Sequence, residues 1–152
     1  MNVTYRIARP DDASACVTLR GQTRENAVSE QRLRELGITA QSWAADIASG
    51  TLPGHVCCSN DNIVGYCFGS TTDGEIVVLA LLPEFENRGI GRELLAQMIR
   101  QLAALGKTRL FLGCSRDPKS RSYGFYRHLG WRSTGTFDGH GDELLEYFVD
   151  AQ

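Results

Sequence analysis

The segment that most limits how this chain can fold runs from Glu75 to Leu105. A strand-like run, Glu75–Leu82, ends at Pro83 and passes through Glu84-Phe85-Glu86-Asn87-Arg88-Gly89-Ile90-Gly91-Arg92 into a long amphipathic stretch. Within Arg88–Leu105, Ile90, Leu94, Leu95, Met98, Ile99 and Leu102 recur on one side, while Arg92, Glu93, Gln97, Arg100 and Gln101 fall on the other. That spacing predicts a helix with one face on a core. A buried strand feeding such a helix through a short turn points to an α/β class, in which helices cover a sheet.

The turn itself has a chemical reading. The first N–H groups of a helix have no partner within it, and the helix dipole adds partial positive charge, so a helix start following a strand suits a phosphate. Gly89 and Gly91 leave those amides unshielded, and Arg88 and Arg92 flank them, so the expected ligand is a diphosphate. Two glycines also serve in a tight turn that binds nothing, and the surrounding sequence has to decide. A dinucleotide-binding fingerprint fits poorly, because its third glycine place holds Leu94, and no GKS or GKT follows to make a P-loop.

The rest of the chain supplies a sheet. Val3–Arg9 alternates apolar and polar residues as a strand does, and Pro10 with Asp11 or Asp12 starts a helix through Ala13, Cys16, Val17 and Leu19. Residues from Gly21 to Gly37 are irregular and polar. Thr39 then reads as an N-cap, with Ile38 and Trp43 spaced as a hydrophobic staple and Gly50 as the stop. His55–Ser59, Ile63–Thr71 and Glu75–Leu82 form three strand-like runs joined by Asn60-Asp61-Asn62 and Thr72-Asp73-Gly74, an antiparallel meander. Beyond the amphipathic helix come a strand at Arg109–Cys114, a helix at Ser120–Leu129 and strands at Trp131–Phe137 and Glu143–Val149. The order is βααβββαβαββ, a mixed α/β (α+β) sheet, and with no linker or repeat the expectation is one domain over 1–152.

Composition excludes several function classes. A net charge of −2 offers no general attraction to nucleic acid or an anionic membrane. The 42% hydrophobic and 22% charged fractions are those of a folded protein. The start, MNVTYRIARPDD, has no apolar signal core, and no stretch nears the ~20 apolar residues of a membrane span, so the expected location is cytoplasmic. Cys16, Cys57, Cys58, Cys67 and Cys114 are odd in number, lack CxxC and sit at no metal-ligand spacing, so they read as reduced, packed thiols with no metal expected.

Two motifs together resemble the GNAT superfamily of acyl-CoA-dependent N-acyltransferases. Its Q/R-x-x-G-x-G/A turn is matched by Glu86-Asn87-Arg88-Gly89-Ile90-Gly91, with Glu86 in place of the usual Gln or Arg. Its FYxxxGF segment is matched by Phe125-Tyr126-Arg127-His128-Leu129-Gly130-Trp131. The resemblance implies a GNAT fold over essentially the whole chain. It further implies that the amides of Asn87, Arg88, Gly89, Ile90, Gly91 and Arg92 cradle the diphosphate of acetyl-CoA. The backbone of Leu79, Ala80 and Leu81 would pair with the pantetheine arm. Lys119 stands where the family often has a coenzyme-contacting Asn, and could meet a phosphate instead.

The reaction implied is attack of an acceptor amine on a thioester, which requires a neutral amine although a primary amine has a pKa of about 10.4. Glu75, where many members carry a glutamate at the start of the fourth strand, is the expected general base, acting through water, with His55 and His140 as substitutes. Tyr126 is the expected acid beside the leaving thiolate, and Tyr123 the fallback. The acceptor would meet Arg20, Thr23, Arg24, Glu25 and Asn26 together with Asp138, His140, Asp142 and Glu143, a mixed set compatible with a small amine-bearing metabolite or a protein amine. A catalytically silent acyl-CoA-binding module is the alternative from another class. Members of the fold often dimerise through sheet edges or the last strands, which leaves a homodimer open.

Overall fold

The fold is that of a computed structural model, which describes residues 2–149; the expected domain, 1–152, extends beyond these at both ends. Among the described residues, seven strands and five helices follow one another. They are β1 (Thr4–Ile7), α1 (Ala13–Arg20), α2 (Glu30–Glu35), α3 (Ala40–Ser49), β2 (Gly54–Ser59), β3 (Asn62–Gly69), β4 (Ile76–Leu81), α4 (Ile90–Ala104), β5 (Arg109–Cys114), α5 (Arg121–His128), β6 (Arg132–Phe137) and β7 (Glu143–Phe148). Short 3-10 turns at Pro10–Asp12 and Pro83–Phe85 lead into α1 and toward α4.

The one helix absent from the sequence expectation is α2. Ser29 caps it, accepting a hydrogen bond from the Arg32 N–H, yet among its six residues only Leu33 is buried, too few apolar positions to show a helical period. The other expected helices form where their signals stand. The Thr39 hydroxyl accepts from the Ser42 N–H while the Ser42 hydroxyl accepts from the Thr39 N–H, and Gly50 closes α3 in the left-handed region at φ +83°.

The strands make two antiparallel sheets. The first runs β1-β2-β3-β4 and the second β5-β7-β6. Period-two alternation divides the first sheet between two layers of core. Val56, Cys58, Tyr66 and Phe68 pack with Cys16, Val17, Leu19 and Trp43 of α1 and α3, while Cys57 and Cys67 join Leu94, Leu95, Met98 and Leu102 of α4. The second core continues under β5 and α5 through Leu110, Leu112, Tyr126, Trp131 and Leu145. All five cysteines are buried free thiols. Burial pushes Cys16 up to about 12 and Cys57 to about 11, which suits packing rather than reaction.

What positions the site is the relation between β4 and β5. Phe68 opposes Val78 and Gly69 opposes Ile76, so Val77 is an extra residue that bends β4. Among the described residues a single parallel bridge, Glu75 to Phe111, joins the two sheets, with the Phe111 N–H donating to the Gly74 carbonyl at 3.3 Å. Beyond it β4 and β5, each the outermost strand of its sheet, have no ladder between them.

Candidate functional site

The space between the parted strands is a cleft of about 380 Å³. Val77 to Leu81 form one wall and Leu112, Gly113 and Cys114 the other, with Phe125 and Tyr126 of α5 alongside and the α1–α2 segment at the edge. Because neither strand edge is paired with another strand here, part of its backbone N–H and C=O groups face the cleft without a ladder partner, as a bound chain bearing amides would require.

One end of the cleft meets the start of α4. Gly89 is the N-cap, in the left-handed region at φ +80°, and a Cβ there would meet nothing within 4 Å. Asn87 is also left-handed, at φ +63°. Where α2 and α3 are capped by Ser29 and Thr39, α4 has no capping side chain, so its first amides and the positive end of its dipole are left open. A Cβ on Gly91 would lie 3.6 Å from the Phe125 ring, ordinary contact, so the packing of α5 here does not itself require glycine. Arg88 stacks over the Phe85 ring at 5.5 Å, and Arg92 is exposed on the first turn.

Glu86 lines this end and is held by cations. Arg24 Nε donates to its Oε1 at 2.7 Å, and Arg121 Nη1 stands 3.6 Å from the same oxygen. Arg121 Nη2 also donates to Asn87 Oδ1 at 3.4 Å, and the Arg121 N–H that begins α5 donates to the Glu25 carboxylate at 3.1 Å. Arg121 is a site residue that the sequence does not single out, since nothing local in Ser120-Arg121-Ser122 signals a contact with a turn so distant along the chain.

Tyr126 is 8% exposed and lines the cleft, its ring 5.0 Å from that of Phe125 and 5.9 Å from that of Trp131. Burial, and after it Cys67 and Cys114, push its hydroxyl far above the ordinary tyrosine value. Tyr123 is turned to another task, its ring under the Arg127 guanidinium at 3.6 Å. Glu75 does not line the cleft wall; it sits where the strands part. Burial raises its carboxyl, with Asp73 and Asp138 adding to the shift. Asp138 packs against the Gly113 backbone, its Oδ2 3.0 Å from where a Cβ would stand, and accepts from the Asp142 N–H at 2.9 Å. Asp142 lines the cleft, its carboxyl raised by burial and then by Asp138.

The structure thus gathers Leu79, Ala80, Leu81, Gly91, Tyr126, Arg20, Thr23, Arg24, Glu25, Asn26 and Asp142 around one cleft. It leaves Lys119 exposed in the β5–α5 loop and outside that lining. His55 is elsewhere, its Nε2 2.6 Å from Gln101 Oε1 on α4, and Glu143 is paired with Arg127 at 2.5 Å. Among the described residues no cluster of His, Cys, Asp and Glu could hold a metal ion, and no helix is long and apolar enough to cross a membrane.

Comparison with known proteins is consistent with this geometry. The model of the acetyltransferase (GNAT) family matches residues 17–131. Among solved structures, the PaiA N-acetyltransferase of Thermoplasma acidophilum in complex with coenzyme A is 18% identical, with a TM-score of 0.81 over 98% of this chain and 100% of that one. The putative acetyltransferase YncA of Salmonella typhimurium with acetyl-CoA is 18% identical, with a TM-score of 0.72 over 100% and 96%. The ribosomal-protein-S18-alanine N-acetyltransferase of Escherichia coli is 16% identical, with a TM-score of 0.71 over 99% and 96%. No curated protein matches the sequence.

Proposed function

Because the chain belongs to the GNAT acetyltransferase family, we propose that it binds acetyl-CoA between β4 and β5 and transfers the acetyl group to an amine of a small-molecule or protein acceptor by direct attack. The observation that carries this reading is the parting of β4 from β5 beyond the Glu75–Phe111 bridge, which opens a cleft onto the uncapped start of α4. Acetyl-CoA supplies an activated thioester; the remaining work falls to the protein. The amides from Asn87 to Arg92 bind the diphosphate, aided by the dipole of α4. Leu79, Ala80 and Leu81 offer backbone hydrogen bonds to the pantetheine arm, and Lys119 reaches a phosphate from its exposed loop. Asp142, with Arg20 and Asn26 across the cleft, orients the acceptor. Two solved structures of similar fold carry coenzyme A or acetyl-CoA, which supports the choice of donor.

Calorimetric titration with acetyl-CoA, with NAD and ATP as controls at equal salt, tests the donor. Selective binding on the order of −8 kcal/mol is expected; heats no larger than those of NAD and ATP would overturn the reading. Thiol release over a panel of amines then separates an enzyme from a module that binds without turnover.

Glu75 acts as the general base, taking the acceptor's proton through water. Its raised carboxyl places the proton affinity nearer neutrality than an ordinary glutamate, which makes it a better acceptor at working pH. Activity should therefore fall as pH drops through the raised pKa, and Glu75→Gln should lower kcat/KM and remove that acid limb. Stability should move the other way. A carboxyl whose folded pKa exceeds its unfolded one favours the fold at low pH, and this contribution is lost as pH rises through the folded value. The charged Glu75 is thus a burden at neutral pH, and Glu75→Gln should melt no lower than wild type there. A variant with an unchanged pH–rate profile would remove Glu75 from the mechanism.

A further inference from the structure

Glu86 is the position at which this chain departs from its family's turn motif, and its carboxylate is also where two guanidinium groups converge. Its side chain is only 11% exposed, while those of Arg24 and Arg121 are 56% and 48% exposed. All three line the cleft at the end that meets α4. Each arginine belongs to a segment remote from the turn, Arg24 to the stretch between α1 and α2 and Arg121 to the first turn of α5. Glu25, next to Arg24, adds a second tie by accepting the Arg121 N–H at 3.1 Å. A single anion therefore organises three separate pieces of chain beside the helix start that is open to a diphosphate.

Such an anion has two opposed effects on a diphosphate. It repels the incoming charge, and it assembles two cations where that charge will be. A diphosphate carries more charge than a carboxylate and accepts more hydrogen bonds, so guanidinium groups shared between the two favour the diphosphate. We propose that Glu86 is an internal stand-in for the donor's diphosphate, and that Arg24 and Arg121 are donor-binding residues which pass from Glu86 to the diphosphate as the donor enters. The exchange is wholly non-covalent. It rests on the reading of the glycine turn as the donor site, and adds that donor binding unties Arg24 from the turn. Since Arg20, Thr23, Glu25 and Asn26 line the same cleft, the donor's arrival also resets the acceptor side, which favours binding of the donor before the acceptor.

The test compares wild type, Glu86→Gln, Arg24→Gln and the double variant by calorimetry with acetyl-CoA. Glutamine keeps the shape of Glu86 and removes its charge, so Glu86→Gln should bind roughly fivefold tighter, the size of an exposed ion pair set free. Arg24→Gln should bind more weakly, and the loss should be larger when Glu86→Gln is already present, because Arg24 then has no competing carboxylate. S-acetylpantetheine, which lacks the diphosphate, should raise the melting temperature of wild type and Glu86→Gln alike. If wild type binds acetyl-CoA and Glu86→Gln binds it no tighter, the stand-in role is overturned while the donor site survives. An Arg24→Gln protein with wild-type affinity overturns the part given to Arg24. If neither wild type nor any variant binds acetyl-CoA, the donor reading itself fails, and this proposal with it.

Discussion

Tyr126→Phe is expected to turn over about a hundredfold more slowly than wild type, with the KM for acetyl-CoA little changed. The hydroxyl is placed to act late in the reaction. Tyr126 lines the cleft together with Cys114, Phe125 and the stretch of β4 proposed to hold the pantetheine arm. Burial holds it well above an ordinary tyrosine, so it stays protonated throughout the working range of pH. A simple thiol has a pKa of about 8.5, below even an ordinary tyrosine at about 10. Complete proton transfer from Tyr126 to sulfur is therefore uphill, and the contribution proposed for Tyr126 is a strong hydrogen bond to charge as it develops there. This explains the split between constants: the bond forms as the acyl group departs and is weak in the bound state, so its loss appears in kcat. It also fixes the pH behaviour, since Tyr126→Phe should keep the acid limb expected from the proposed base Glu75 and gain no new limb below about pH 10. Steady-state kinetics from the acid limb up to roughly pH 9 suffices, and a variant with unchanged kcat removes the acid role.

The contrast between Tyr126 and Glu86 shows what is legible in the sequence. Tyr126 belongs to a motif whose residues share one helix and one turn, and the local pattern carries the placement. The same holds for α4, where Ile90, Leu94, Leu95, Met98 and Leu102 are all buried, and for α3, whose cap and glycine stop stand at the positions read from Thr39 and Gly50. Long-range features are not legible. The cleft exists because Val77 is an extra residue against β3 and because the bridge toward β5 is made by Glu75, just before β4, and does not continue along it, neither of which leaves a trace in residue type. Glu86 is recognisable as a departure, but its two arginine partners lie on other segments and are brought to it only by the packing of α1 and α5. The short helix α2 fails to register for a third reason: one buried leucine cannot establish a period.

Trp131→Ala is expected to destabilise the protein by about 3–5 kcal/mol, the range for deleting a large buried aromatic. Trp131 is 2% exposed, with its ring 5.3 Å from Tyr147 and 5.9 Å from Tyr126. It follows Gly130, whose φ of +98° turns the chain at the end of α5, and its own N–H donates to the Tyr126 carbonyl at 3.1 Å. The residue thus supports the proposed catalytic tyrosine from both ring and backbone, and only the ring contact is lost on substitution. Since domains are stable by only about 5–15 kcal/mol, the alanine variant should be marginal at best. Trp131→Phe separates two contributions to that loss. Among the described residues the buried indole Nε1 has no hydrogen-bond partner, and a buried N–H left unpaired by the protein is itself a cost. Phenylalanine removes that cost while keeping an aromatic surface for Tyr126 and Tyr147, so its destabilisation should be far smaller than that of alanine. Denaturant unfolding of the two variants measures this difference. A penalty for Trp131→Phe as large as that for Trp131→Ala would mean that the full breadth of the indole, and not merely an aromatic ring, is what holds Tyr126 at the cleft. In the expected case, Trp131→Phe should retain most of the wild-type kcat, because Tyr126 keeps its wall.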